Sequence, residues 1–251
     1  MIETMENLKI DINCDLGEGI GHEAEILPFI GSCSIACGGH IGDMDTMMET
    51  IRGAQRHGVR IGAHPSFADR ENFGRRTMHL PGEVLIASIR AQLADFGKAL
   101  LHCGARLHHI KAHGALYNQT AQDAATAKIY LDALEGYREG ALLYVPYGSA
   151  VAAAALRSGF NIWYEAFADR NYRADLSLLP RDERDALISD PKKVLAHVLP
   201  IIEQGRLWPL NGPYREVHAH TLCVHGDNPA ALEILMYLSR ELPKHKVLPI
   251  K

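Results

Sequence analysis

Residues 8–18 of the chain are Leu8-Lys9-Ile10-Asp11-Ile12-Asn13-Cys14-Asp15-Leu16-Gly17-Glu18. Residues 8–14 alternate apolar and polar side chains, a pattern that predicts a β-strand. Acidic and glycine residues follow at once, where the predicted strand ends. Because residues 11, 13 and 15 share one parity, their side chains should point to a single face of the strand. This stretch therefore predicts a strand that presents polar groups at its C-terminal end.

The same unit, a short strand with a polar end and then a helix, recurs so that the chain contains seven strands. The other predicted strands are 33–37, 59–63, 107–112, 141–145, 161–167 and 220–224. Predicted helices cover 44–57, 81–104, 121–134, 149–157, 191–204 and 229–242, and the segment 208–218 has no clear pattern. Repeated strand-helix units without a linker predict an α/β fold with a parallel sheet, in one domain spanning 1–251. We expect the sheet to close into a seven-stranded parallel (β/α) barrel because of the residues at the strand ends.

Histidines follow four of the predicted strands. The chain has 14 histidines, and His40, His64, His113 and His225 each come directly after a separate strand. In a parallel barrel the C-terminal strand ends converge on one mouth, where catalytic groups gather. If the barrel prediction is right, these four side chains lie together. A single histidine at a strand end is otherwise a common hydrogen-bonded cap.

Lys111 is predicted to point into the barrel, where a lone ammonium group is costly to bury. Its natural partner is Asp15 or Glu165. One interpretation is a structural ion pair. The other is a catalytic site in which a carboxylate and imidazoles activate water while the lysine stabilises negative charge. The candidate catalytic residues are Asp15, Glu18, His40, His64, Lys111 and His113.

Two kinds of bound ion are also consistent with these residues. Imidazole and carboxylate groups suit a divalent metal, for which Asp15, His40 and His64 are the candidate ligands. Arg75, Arg76 and Arg170 lie in the two long loops over the predicted mouth, where guanidinium groups can hold an anionic substrate. The chain contains no glycine-rich phosphate-binding motif, so a nucleotide would need another cradle or a partner subunit.

Composition excludes several classes of protein. With 26 Lys plus Arg against 30 Asp plus Glu, the formal net charge is -4, and no basic block predicts nucleic-acid binding. Five cysteines without a C-x-x-C pair do not predict a disulfide framework. Residues 1–13 lack the apolar core of a signal peptide, and no apolar run is long enough to span a membrane. The sequence therefore predicts a soluble cytoplasmic protein.

The strand-end segments resemble the LamB/YcsF family, which comprises the A subunit of ATP-dependent 5-oxoprolinase. The resemblance is carried by seven ordered motifs at 10–18, 34–40, 61–66, 73–76, 111–118, 165–170 and 223–227. Two positions depart from the family pattern, Gly39 in place of a usual Phe and Ala112 in place of a usual Pro. Both are spacer positions, so the polar groups stay in place.

The resemblance implies a barrel similar to the glycoside hydrolase/deacetylase superfamily. It also implies hydrolysis of the lactam of 5-oxo-L-proline to L-glutamate, coupled to ATP and carried out together with B and C subunits. The candidate substrate-binding residues in these motifs are Asn13, Arg75, Arg76, Tyr117, Asn118, Glu165, Asp169, Arg170, His225 and Asp227.

Two rival functions are also consistent with the sequence. By analogy of fold, the chain could be a stand-alone, metal-dependent deacetylase or amidase. Alternatively, it could be a non-catalytic subunit that only presents 5-oxoproline to its partners. The density of titratable groups at the strand ends favours catalysis, because a small lactam with one carboxylate needs only an arginine and a few amides to bind.

Overall fold

A computed structural model describes residues 7–251, so residues 1–6 of the predicted domain lie outside the described residues. The strands are β1 (Leu8–Leu16), β2 (Ser32–Ala36), β3 (Arg60–His64), β4 (His109–Ile110), β5 (Leu142–Pro146), β6 (Ile162–Phe167), β7 (Arg206–Leu207), β8 (Arg215–Glu216), β9 (Thr221–Cys223) and β10 (Val247–Ile250). Strands β1 to β6 pair in chain order, β9 pairs with β6, and β9 returns to β1, all in parallel. The seven-stranded parallel barrel is therefore confirmed.

Helices cover the outside of the barrel. They are α1 (Glu23–Ile26), α2 (Met44–Arg56), α3 (Gly82–Cys103), α4 (Gly114–Gln122), α5 (Ala124–Ala133), α6 (Ala150–Arg157), α7 (Pro191–Gln204) and α8 (Ala231–Glu241). Asp43 caps α2, because its side chain accepts the Thr46 amide in a capping box. Within residues 7–251, no helix is both long and apolar enough to cross a membrane.

Several predicted boundaries are wrong. Strand β4 covers two residues instead of the six expected at 107–112. Helix α4 begins at Gly114, whereas the helix predicted after this strand starts at residue 121. Asp123 separates α4 from α5 because its carboxylate accepts the Ala125 and Thr126 amides and so starts a new helix. The last helix begins at Ala231, two residues later than expected. The unassigned segment 208–218 belongs to an antiparallel hairpin of β7 and β8.

Strand β10 is not predicted by the sequence pattern. It pairs with the first half of β1, with Leu8 opposite Val247 and Asp11 opposite Ile250. The second half of β1 pairs with β2 from Asn13 onward. The run is short and contains Pro249, and a proline argues against a strand at the level of sequence.

The amino end of the barrel is held by a buried polar cluster around Asp11. Its carboxylate accepts hydrogen bonds from Ser32 Oγ and Thr221 Oγ, each at 2.6 Å, and pairs with Arg60 at 2.7 Å. These contacts tie β1, β2, β3 and β9 together. They fix β1, and therefore the polar groups at its far end, inside the barrel.

Candidate active site

Lys111 is the centre of the site, just beyond β4. Its side chain is buried, and Nζ lies 2.9 Å from both Asp15 Oδ1 and Glu165 Oε1. Asn13 Oδ1 and Cys223 Sγ are each 3.2 Å away. Burial alone lowers a lysine pKa, but Asp15, Cys223 and Glu165 together raise the pKa of Lys111 well above its usual range. Lys111 is therefore a permanent cation, and both predicted partners are present.

The two carboxylates from the end of β1 stay ionised for related reasons. Burial raises a carboxyl pKa, but His64 and Lys111 hold the pKa of Asp15 well below its usual range. Burial acts likewise on Glu18, whose pKa is lowered by hydrogen bonds from His113 and His40. Both groups are thus anions that can accept a proton or bind a cation.

All four predicted histidines converge with these carboxylates, since a ring nitrogen of His225 lies within 4.8 Å of an Asp15 oxygen. His40 stacks on His113 with ring centroids 3.6 Å apart, and its Nε2 lies 3.1 Å from Glu18 Oε1. His64 Nε2 is 3.3 Å from Asp15 Oδ2. Burial lowers the pKa of His40 to about 4 and also lowers that of His113, so both rings are neutral at pH 7.

The ring nitrogens of His64 and His113 face each other in an unusual way. His64 Nδ1 lies 2.8 Å from the Lys111 carbonyl, and His113 Nε2 lies 2.9 Å from the Phe73 carbonyl. A carbonyl only accepts hydrogen bonds, so His64 Nδ1 and His113 Nε2 each carry a proton. The other two nitrogens, His64 Nε2 and His113 Nδ1, are 3.0 Å apart, and they also lie 3.3 Å from Asp15 Oδ2 and 3.4 Å from Glu18 Oε1, respectively. Two nitrogens and two carboxylate oxygens therefore converge on a space that suits a shared proton or a metal ion.

These groups fit a divalent cation. His64, His113 and Glu18 offer ligand atoms that lie within 4.8 Å of one another, and so do Asp15, Cys223 and His225. In both His64 and His113, the ring nitrogen that is not a candidate ligand donates its N–H to a backbone carbonyl, as metal-binding histidines commonly do. Asp15 and Glu18 are buried anions, and a divalent cation would offset their charge. The predicted ligand set Asp15, His40 and His64 is not one of these groups, because His40 Nε2 points at Glu18.

His225 belongs to a neighbouring part of the site. Its Nδ1 lies 2.9 Å from Asp169 Oδ1, and Asn228 Nδ2 donates to the other oxygen of Asp169. Burial raises the pKa of Asp169, but His225 and Asn228 lower it below its usual value. Asp169 therefore orients His225, whose ring stacks on Phe167 with centroids 5.0 Å apart.

Three loops meet at the mouth through Asp227. Its carboxylate accepts Arg181 Nη1 at 3.0 and 2.9 Å, and it also pairs with Arg75. Arg170 is buried and donates to the carbonyls of Leu179 and Ala186. Arg75 and Arg181 are thus placed for an anion at the mouth, whereas the guanidinium of Arg170 folds its own loop.

Two adjoining cavities open at this end of the barrel. The larger, about 470 Å³, is lined by Asp15, Glu18, Lys111, His113 and His225 together with the loop arginines. The smaller, about 200 Å³, reaches Glu165. Tyr117 and Asn118 line both. His40 and His64 are buried behind the larger cavity.

The remaining predicted residues differ in how well they are placed. Asn13 is buried and donates to Glu165 Oε1, so it positions that carboxylate. Arg76 is exposed and lines neither cavity. Sequence reasoning missed Arg181 because its loop has no periodicity and its partner Asp227 is far along the chain. Cys223 is also part of the site, because its Sγ contacts Lys111 Nζ.

The fold and site together define a parallel (β/α) barrel with a charged, largely buried polar site at the carboxyl ends of its strands. The sequence matches the LamB/YcsF family over residues 10–249, and the chain belongs to that family.

Two solved structures are similar to this chain. A lactam utilization protein from Thermus thermophilus is 34% identical, with a TM-score of 0.89 over 97% of this chain and 99% of that one. An uncharacterized protein, ATU2773, from Agrobacterium tumefaciens C58 has a TM-score of 0.60 at 11% identity, over 98% of this chain and 88% of that one. The second likeness shows the fold alone.

Proposed function

We propose that this chain is the A subunit of an ATP-dependent 5-oxoprolinase, a cyclic amide hydrolase that opens 5-oxo-L-proline to L-glutamate. The observation that carries the proposal is the buried Lys111, paired with Asp15 and Glu165 beside a cavity of about 470 Å³. Family membership and the likeness to a lactam utilization protein support the choice of a lactam as substrate.

Each group has a role that follows from its position. Lys111 stabilises negative charge that develops on the substrate oxygen, because it is a permanent cation in a site of low dielectric. Asp15 and Glu18 are anions next to neutral imidazoles, so one of this set takes the proton of the attacking water. Arg75 and Arg181 hold an anionic group of the substrate at the mouth.

The ATP requirement follows from the substrate. A five-membered lactam is a poor electrophile, and phosphorylation of its amide oxygen activates the carbonyl carbon towards water. This chain has no glycine-rich phosphate loop, so we assign nucleotide binding to a complex with the B and C subunits. A divalent ion held by Glu18, His64 and His113 would polarise water or the substrate oxygen.

The experiment measures glutamate formation and 5-oxoproline-dependent ATP hydrolysis by this chain, with and without the B and C subunits. We expect glutamate only from the complete set, and Asp15→Asn should slow it at least about a hundredfold, the usual contribution of a general base. Asp132→Asn, a matched change in an exposed ion pair, should leave the rate unchanged. No glutamate from any combination would refute the proposal, and a normal rate with Asp15→Asn would show that this chain only binds substrate.

The facing ring nitrogens of His64 and His113, with Glu18 beside them, favour a second candidate, a metal-dependent amidase or deacetylase that needs no ATP. This alternative predicts amide hydrolysis by the isolated chain, lost on treatment with a chelator and restored by a divalent ion. Activity that is insensitive to chelation and dependent on ATP would exclude it.

A further inference from the structure

Two buried polar atoms near Lys111 have no hydrogen-bond partner within residues 7–251. Glu165 is 3% exposed, and its Oε1 accepts from Asn13 Nδ2 and lies against Lys111 Nζ, each at 2.9 Å. Its other oxygen, Oε2, has no donor. Tyr117 is 6% exposed, and its hydroxyl lies next to the Glu165 carboxylate but makes no hydrogen bond of good geometry with it or with any other described group. Buried polar groups are usually satisfied, so such a pair indicates where a ligand binds.

Both residues line the smaller cavity, whose other walls are largely apolar. Phe167, Leu178 and Val217 form part of these walls. Tyr117 also lines the larger cavity, so it stands where the two spaces join. A ligand held here would lie between the apolar walls and the Lys111 cluster.

The two atoms offer opposite hydrogen-bonding roles. A carboxylate oxygen accepts. The Tyr117 hydroxyl donates, because burial and the neighbouring Glu165 charge raise its pKa well above the usual range and keep it protonated. Their natural complement is a group that presents an N–H and a C=O on the same edge. A ring of five atoms forces its amide into the cis form and so creates that edge, whereas a linear amide is trans and points the two groups in opposite directions.

We propose that Glu165 and Tyr117 select a cyclic amide, with Glu165 Oε2 accepting the ring N–H and the Tyr117 hydroxyl donating to the ring carbonyl. This inference rests on the proposed function and deepens it, because it assigns lactam recognition to two side chains. Asn13 and Lys111 hold Glu165 in place through its other oxygen and leave Oε2 free for the ligand.

The test compares 5-oxoproline with its lactone isostere, in which a ring oxygen replaces the N–H. Calorimetry on the full chain should give the lactone a Kd at least about tenfold weaker, because Glu165 Oε2 then faces an acceptor. Glu165→Gln should reduce that ratio towards one, since the amide can turn its NH₂ towards the ring oxygen. Tyr117→Phe should weaken both ligands by a similar factor, because both retain the carbonyl.

Tyr130→Phe is the matched control. Tyr130 is 2% exposed with a buried, unpartnered hydroxyl like that of Tyr117, but it lines neither cavity. The Tyr130→Phe variant should bind both ligands as the unmodified chain does. Equal affinity for lactam and lactone, or an unchanged ratio in Glu165→Gln, would overturn this inference alone. No binding of 5-oxoproline to the unmodified chain would also overturn this inference, whereas the proposed function is refuted only if no glutamate forms in the presence of the B and C subunits.

Discussion

Replacing Lys111 by methionine removes the ammonium group that lies between two buried carboxylates. Methionine fills similar space, so the main change is electrostatic. Asp15 and Glu165 each lose an ion pair of 2.9 Å in a site that is almost closed to solvent. Breaking a buried pair by removing one partner costs about 3–5 kcal/mol. For a chain of this size that corresponds to a melting temperature lower by roughly 6 to 20 °C.

The loss should depend on pH in a defined direction. In the native protein the pKa of Asp15 is depressed, so its contribution to stability is present above the unfolded pKa and disappears as the pH falls through the folded value. Without Lys111, less positive charge opposes the effect of burial, so the pKa of Asp15 rises. Protonation of Asp15 then destabilises the folded variant less than it destabilises the folded native protein. The gap in stability between the two should therefore narrow as the pH falls from 7 to 5.

Urea denaturation followed by circular dichroism, at pH 7 and pH 5, measures both effects. Lys128→Met serves as the control, because Lys128 forms an exposed pair with Asp132 and its loss should change stability by less than about 0.5 kcal/mol. A loss below about 1 kcal/mol for Lys111→Met, or a gap that widens towards pH 5, would contradict the charge assignment of the site.

Two further changes test the barrel and the cation site. Gly62→Ala should destabilise the protein by about 1–3 kcal/mol, because a methyl group there overlaps the His109 ring. Gly97→Ala, which has open space around it in α3, should stabilise the protein by about 0.5–1 kcal/mol. The same stability change for both variants in urea denaturation would refute the packing argument. Zinc at about 100 times its Kd should stabilise the chelator-treated protein by about 2.7 kcal/mol. In a thermal-shift assay, Glu18→Gln should lose most of this stabilisation. If zinc does not raise the melting temperature of the unmodified protein, the cation site is excluded.

The barrel could be predicted because each strand and the polar residues that follow it are visible in a short stretch of sequence. Each strand is short and apolar, and polar residues follow each one, so parity and strand direction alone placed Asp15, Lys111 and Glu165 together. Their observed distances confirm that expectation. Convergence of His40, His64 and His113 followed from the same geometry and is also confirmed.

Other features depend on tertiary contacts that no local pattern encodes. Most of the motif 111–118 lies between the predicted strand 107–112 and the predicted helix 121–134, but from Gly114 it forms α4, which places Tyr117 at the cavities. Arg181 reaches the mouth only because Asp227 holds it from another loop. The cation donor set also depends on which ring nitrogen faces a carbonyl, which a sequence cannot specify.

Pairing of β1 with β10 brings the two ends of the described chain side by side. Leu8 and Val247 are neighbours at the amino end of the barrel, and the charged site lies at the opposite end. The start of the first strand and the last strand of the described chain therefore lie next to each other, away from the candidate active site. Because β10 runs parallel to β1, the chain reaches Ile250 level with Asp11, about midway along β1. A permuted chain, joined across these ends and reopened at the exposed Gly140, would keep every contact of the site.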